Sequence, residues 1–310
     1  MSMRVRLGRT ELSVSPICYG SWQLSPKFWG PVPEGDAIAA MRGAFDAGVN
    51  FFDTADAYGD GFAEVVVGKA LATLPRDKIV LATKVFHHFF PDGRRFPDLS
   101  HDYILQACDA SLKRLKMDYI DLYQCHSWDP LADPAGTADA LEKLKRQGKI
   151  RHYGTSNWNV EQLRLGAKYG NYASSQPMYN LLKRNIESDV LPYCQANDIG
   201  TLVYSPLHNG LLSGKYKGTE SFDDFRKGSP DFQGERFKTI CARVAQVGEI
   251  ASGYRFSTVQ LVLAVTLAHP GITCAIAGIK NPQQIADAAG AMGKTVSRED
   301  ANKVRNLLSV

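Results

Sequence analysis

The chain has 310 residues, 44% of them hydrophobic and 22% charged, enough to bury a sizeable core and too apolar for a disordered polypeptide. Its net charge of +4 is the difference between 36 basic and 32 acidic side chains, a balance that argues against nucleic acid as a partner. The six cysteines, Cys18, Cys108, Cys125, Cys194, Cys241 and Cys274, are scattered with no CxxC pair, which argues against a disulfide framework and against a metal site.

Residues 1–9 carry charges where a signal peptide needs an apolar run, and the longest apolar stretch, 259–268, is too short to span a bilayer. A cytoplasmic protein with no membrane partner is expected, monomeric or a weak homo-oligomer. Residues 3–14 read as a small β-hairpin around Gly8 and Arg9. Short β-branched or aromatic runs then predict eight strands, at 17–20, 51–54, 79–83, 119–124, 151–155, 173–176, 201–204 and 273–277. Between them a 3.6-residue period takes over. Ile38, Met41 and Phe45 share one helical face, as do Ile104, Cys108, Leu112 and Leu115 behind Ser100 as a helix cap.

Eight βα repeats predict a (β/α)8 TIM barrel forming one domain over 1–310, with an N-terminal hairpin and long loops at the C-terminal face. A doubly wound sheet would carry GxGxxG after its first strand, and none occurs. Residues 206–255 are far too long for a plain βα loop, and long loops on such barrels usually serve the site.

A TIM barrel places its chemistry where the strands end. The polar residues at those positions are Asp53 and Tyr58, Lys84, His126, Ser156 and Asn157, Gln176 and Tyr204. Asp, Tyr, Lys and His together suit proton transfer to a carbonyl oxygen. A phenol near pKa 10 is a reluctant acid, and an adjacent ammonium, Lys84, brings it towards neutrality. Asp53 would keep Lys84 protonated, and His126 would polarise the carbonyl. Singly, each has a plainer reading as a cap, a strand end or a loop residue; four complementary types at successive strand ends carry more weight.

Cys125 beside His126 suggests a thiol nucleophile, but neighbours on a strand face opposite ways, so Cys125 is expected against the helices. His87 and His88 read as exposed loop residues rather than metal ligands. Trp22, Trp29, Phe86 and Trp128 follow predicted strands and are expected to wall a substrate pocket, with Tyr204 placed to stack on a flat ring there. The stretch 207–215 looks like a phosphate-binding P-loop, but Gly210 and Gly214 have three residues between them where that loop needs four. Its backbone N–H groups and Lys215 still suit a pyrophosphate. Near the end, Asn281, Pro282 and Gln284 read as cap, first position and third position of a helix, and Lys280 before it suits a phosphate.

The string Asn50-Phe51-Phe52-Asp53-Thr54-Ala55-Asp56-Ala57-Tyr58-Gly59 resembles the signature of the aldo-keto reductase superfamily. So do Ala82-Thr83-Lys84, Gln124-Cys125-His126, Gly154-Thr155-Ser156-Asn157, Gln176-Pro177-Met178-Tyr179-Asn180, Tyr204-Ser205-Pro206-Leu207 and Ala277-Gly278-Ile279-Lys280. The resemblance covers nearly the whole chain. It implies an NAD(P)H-dependent oxidoreductase that interconverts aldehyde or ketone carbonyls and alcohols, with Asp53, Tyr58, Lys84 and His126 as a catalytic tetrad and Tyr58 as proton donor.

It further implies that Ser156, Asn157 and Gln176 bind the nicotinamide carboxamide and that Tyr204 stacks on the ring. Residues 205–215, with Ser205, Leu207, Asn209, Gly210 and Lys215, would cradle the pyrophosphate, and Gly278, Lys280 and Gln284 the adenosine phosphate. Lys280 before the last barrel helix makes NADP(H) the expected cofactor; the family often has Pro where Ala277 stands and Ser or Thr followed by Arg near Ile279-Lys280, a departure that weakens the phosphate grip and leaves NAD(H) as the other choice. The alternative is a cofactor-binding regulatory subunit or redox sensor with little turnover, because potassium-channel β subunits resemble this family.

Overall fold

Eight parallel strands close on themselves in the order in which the chain makes them. The computed structural model describes residues 4–90 and 92–310; Met3, where the expected hairpin begins, and Pro91 in the loop 87–98 lie outside the described residues. The barrel strands are β1 (Ile17–Gly20), β2 (Phe51–Asp53), β3 (Val80–Val85), β4 (Ile120–Cys125), β5 (Ile150–Ser156), β6 (Ser174–Gln176), β7 (Gly200–Tyr204) and β8 (Cys274–Gly278). Each pairs with the next in parallel, and β8 returns to β1 through Ala275↔Ile17 and Gly278↔Gly20. This is the (β/α)8 barrel expected from the repeats.

Alternation along each strand sorts the side chains into two layers. Ile17, Tyr19, Phe52, Leu81, Tyr123, Cys125, Tyr153 and Val203 face the helices in the main core, so the Cys125 thiol lies on the helix side. Cys18, Phe51, Ala82, Leu122, Leu202, Cys274 and Ile276 face the barrel axis, where Leu7, Leu12 and Val14 join them from the N-terminal hairpin. The hairpin, Val5–Arg6 against Ser13–Val14, therefore plugs the barrel floor. Each such buried Leu, Phe or Ile contributes about 1.5–3 kcal/mol relative to exposure.

The loops differ more from the sequence reading than the strands do. Ser100 stands at the N-cap of the helix His101–Leu115, but its hydroxyl makes no cap bond; its backbone N–H donates to Asp98 Oδ1 at 2.9 Å instead. His87 and His88 are half-buried in an antiparallel pair, His87–Phe89 with Arg95–Pro97, rather than in an open loop. His88 stacks on Tyr103 with ring centroids 4.3 Å apart and pairs with Asp98 at 2.8 Å. The long stretch 206–255 is not all loop, since it ends in the 20-residue helix Gly234–Gly253. That helix buries Phe237, Ile240 and Val244 with Leu211, Leu212 and Phe232 in a core of its own. Apolar residues within 206–232 dock the insertion on this helix, which is why it holds shape without a strand.

Candidate active site

The inward register that puts Phe51, Ala82 and Leu122 on the barrel axis puts Asp53, Lys84 and Gln124 on the same face two residues later, at the mouth. Lys84 and Asp53 are fully or almost fully buried. The Lys84 ammonium donates to Asp53 Oδ1 at 2.6 Å, to the Thr54 carbonyl at 2.9 Å and to the Tyr58 hydroxyl at 3.2 Å. An ammonium has three protons, and all three are used. Asp53 Oδ2 accepts from Gln176 Nε2 at 2.9 Å and Gln124 Nε2 at 3.3 Å. The charge pair is thus compensated on both sides, the condition under which a buried ion pair is tolerated.

Burial alone would discharge Lys84, but Asp53 and Tyr58 outweigh it and raise the ammonium above its ordinary pKa. Burial likewise raises the Tyr58 phenol above its ordinary value, with Lys84 pulling the other way. The expectation of a lowered phenol therefore needs correcting: Lys84 offsets desolvation without overcoming it. His126 is pushed well below the usual imidazole value by burial first and then by the charge of Lys84, so its ring is neutral. The rings of Tyr58 and His126 stand edge to face with centroids 5.8 Å apart.

A cavity of about 1050 Å³ runs from Asp53, Tyr58 and His126 past Gln176 and Tyr204 to Gln284 and Asp287. Gly20 and Gly278, paired in register, form part of its wall. A Cβ on Gly278 would meet the Gln23 amide at 2.0 Å, so the close approach there requires glycine. The Ser156 hydroxyl donates to the Gln176 carbonyl at 2.8 Å. Asn157 Nδ2 donates to the His126 carbonyl at 3.0 Å, and its Oδ1 accepts from the Tyr204 hydroxyl at 2.8 Å. These bonds tie the ends of β4, β5, β6 and β7 together.

Beyond β7, Ser205, His208, Asn209 and Gly210 all have left-handed φ, between 45° and 88°; Pro206 has no N–H, and those of His208 and Gly210 turn back to the Ser205 and Leu207 carbonyls at 2.9 and 3.0 Å, so in this nest the amides of Ser205, Leu207 and Asn209 are the ones left for an anion. Ser205, Leu207, Asn209, Gly210 and Lys215 all line the cavity there. Lys280 and Arg226 line the same end. Lys280 is lowered by burial and then by the charges of Arg226 and Lys215, against the pull of Asp224. Arg226 already pairs with Asp224 at 2.5 Å, so Lys215 and Lys280 are the two cations there whose repulsion a polyanion would relieve. Asn281 caps the helix Pro282–Ala289 by accepting from the Gln284 N–H at 3.0 Å, as the sequence pattern implies. The Gln284 side chain reaches back to the Lys280 N–H at 2.9 Å, and Lys280 Nζ donates to the Trp29 carbonyl at 3.2 Å.

The four expected pocket aromatics divide. Trp22 and Trp29 line the cavity and meet edge to face at 5.3 Å, with Phe225 5.0 Å from Trp29. Phe86 and Trp128 stand outside the lining: both pack on the main core, Trp128 against Trp158 at 4.8 Å. Gln124 was within reach of the sequence, because alternation from His126 puts it on the inward face. Arg226 was not, since its stretch of chain carries no period.

A closed (β/α)8 barrel whose mouth joins a buried lysine, a carboxylate and a phenol to a cleft edged with cations defines a TIM-barrel oxidoreductase. The chain belongs to the aldo/keto reductase family, whose sequence model matches residues 16–309. It is similar to aldo-keto reductase YhdN of Bacillus subtilis, 37% identical over 303 residues that cover 96% of this chain and 91% of that protein. It is also similar to the NADH-specific methylglyoxal reductase of Escherichia coli, 31% identical over 98% of each chain. Among solved structures, a glycerol dehydrogenase of Gluconobacter oxydans superposes with a TM-score of 0.92 at 30% identity, covering 99% of this chain and 95% of that one. Among the described residues, no single helix is long and apolar enough to cross a membrane.

Proposed function

We propose that the protein is an NADP(H)-dependent reductase of aldehydes and ketones, reversible as an alcohol dehydrogenase, with Tyr58 as the proton donor. The observation that carries this reading is the direction of the hydrogen bonds at Lys84. Because the ammonium donates to the Tyr58 oxygen, that oxygen accepts there and its own O–H is free to point into the cavity. A carbonyl oxygen seated between Tyr58 and His126 receives the phenolic proton while the neutral imidazole donates a hydrogen bond to it. Lys84 then stabilises the phenolate left behind, and Asp53 keeps Lys84 charged and aimed. A phenol pKa held high by burial makes proton release conditional on charge developing on the substrate oxygen.

A nicotinamide dinucleotide fits the residues present, since the left-handed nest at 205–210, the clustered cations and the glycine-walled cleft all lie along one cavity. When bound, the reduced nicotinamide supplies the hydride. Ser156, Asn157 and the free oxygen of Gln176 would hold its carboxamide, Tyr204 would cover the ring, and residues 205–215 would hold the pyrophosphate. Lys280, Arg226 and Gln284 would hold the adenosine phosphate, the basis for preferring NADP(H), although one relative is NADH-specific. Trp22 and Trp29 would contact the carbonyl compound.

The test is carbonyl-dependent loss of reduced-nicotinamide absorbance over a panel of aldehydes and ketones, run with NADPH and NADH. Consumption that needs the added carbonyl and is faster with NADPH supports the whole reading. Preference for NADH overturns the role given to Lys280 and Arg226. Tight nucleotide binding with no turnover on any carbonyl favours the regulatory-subunit reading instead.

A further inference from the structure

A buried polar network runs from the nest, through the His208 side chain, into residues that the proposed proton transfer does not use. Asn180, with no exposed surface, accepts at Oδ1 from the backbone N–H groups of Leu182 at 3.1 Å and Lys183 at 3.0 Å. Two backbone donors fix which end of the amide is oxygen. Nδ2 must then be the donor towards the Ser205 carbonyl at 3.3 Å and His208 Nδ1 at 3.3 Å, with Met178 Sδ a weaker neighbour at 3.8 Å. His208 Nδ1 is consequently an acceptor, so Nε2 carries the proton and donates to Asp231 Oδ2 at 2.9 Å. Burial lowers the His208 pKa below the ordinary imidazole value, with Asp231 pulling the other way, which agrees with a neutral ring.

Asp231 is itself 4% exposed and is held by two further donors, Arg236 Nε at 2.6 Å and Lys183 Nζ at 3.1 Å. The network therefore joins four pieces of chain: the segment after β6, the nest after β7, the short turn Pro230–Phe232 and the start of the helix Gly234–Gly253. It grips the nest at two points, the Ser205 carbonyl and the His208 ring, and both residues are held at left-handed φ, 55° and 45°. Such a backbone costs of order 1–3 kcal/mol per non-glycine residue unless its surroundings over-determine it. Asn180 and Asp231 supply that determination.

We propose that Asn180, His208 and Asp231 are positioning residues for the dinucleotide, holding the turn 205–210 in the shape that offers the remaining amides, those of Leu207 and Asn209 among them, to a pyrophosphate. The proposal rests on the cofactor site assigned above. It separates nucleotide affinity from the proton-transfer machinery, because none of the three touches Tyr58, Lys84 or Asp53.

Three proteins decide it: the wild type, His208→Leu, which fills the space but makes neither bond, and His208→Gln, which retains one donor and one acceptor. Lys183 and Arg236 still neutralise Asp231 in both variants, and a melting curve checks that each is folded. Nucleotide Kd is read by protein fluorescence titration. With two buried hydrogen bonds lost, Kd for His208→Leu should rise roughly tenfold or more, and His208→Gln should recover most of the affinity. An unchanged Kd in His208→Leu, or equal weakening in both variants, overturns the proposal while leaving the cofactor site standing. A wild type that binds neither NADPH nor NADH overturns both. Nitrogen-15 NMR of the imidazole gives an independent reading at neutral pH: the neutral Nε2–H form is expected, and an imidazolium or Nδ1–H form contradicts the network.

Discussion

The two ends of the cleft are built in opposite ways. At the chemical end, Asp53, Lys84 and Gln124 project from β2, β3 and β4, whose backbones are locked by strand pairing on both sides. At the binding end, the nest sits on irregular chain, four of its residues at left-handed φ, and is held by side chains from three other segments. Strands place a side chain accurately because alternation and register leave it no other direction. Loops present backbone amides, which no strand end can offer in a concave row, and need outside props to keep them there. The difference teaches that loss of a group at the first end should cost turnover, and at the second, affinity.

The largest break in this contrast is expected from Lys84→Met. Removing the cation strands Asp53 as a buried charge, so stability should fall by about 3–5 kcal/mol in denaturant titrations. Turnover should drop by roughly 10²–10⁴-fold, as for loss of acid catalysis. Arg226→Ala acts at the other end. Losing a charged hydrogen-bond donor to phosphate costs about 1.5–3 kcal/mol, so Kd for NADPH should rise at least tenfold, Kd for NADH less, and kcat at saturation should hold.

Acid sharpens the comparison further. Burial pushes the Asp231 carboxyl up, but hydrogen bonds from Arg236, Lys183 and His208 outweigh it and bring it down to about 2. A carboxyl whose folded pKa is depressed stabilises the fold above its unfolded pKa and loses that contribution as pH falls through the folded one. Denaturation midpoints should therefore decline between pH 4 and 2, the ordinary value being 3.8, and Asp231→Asn should flatten that part of the decline. The smallest effect separates the aromatics: Trp22→Ala should raise the KM for carbonyl substrates several-fold, whereas Trp128→Ala should lower the melting temperature and leave KM within about twofold, its ring being packed on Trp158.

How much of this was legible in the sequence follows the same divide. All eight strands and the four residues of the proposed tetrad could be read, because a two-residue period and a parallel βα repeat are local patterns with one structural outcome. The Asn281 cap was legible for the same reason. Ser100 was legible in position, at the N-cap of its helix, but not in bonding: its hydroxyl makes no cap bond and its backbone N–H donates to Asp98. Phe86 and Trp128 follow strands just as Trp22 does, and only packing against distant helices decides which ring faces the cleft. His208, Asp231 and Asn180 are separated by 28 and 23 residues of chain, so nothing local announces that they meet. The helix Gly234–Gly253 was hidden within a stretch read as loop because its apolar face matches residues in 206–232 rather than a neighbouring strand.

The central claim is that the Tyr58 hydroxyl delivers the proton, and Tyr58→Phe tests it most directly, since one oxygen is removed and the ring kept. Turnover with the best carbonyl substrate and nucleotide affinity should be measured on the same preparation. The account predicts that kcat falls by about 10²–10⁴-fold while nucleotide Kd stays within about twofold. Turnover retained within a few-fold of the wild type, with the protein folded and nucleotide bound, would contradict it.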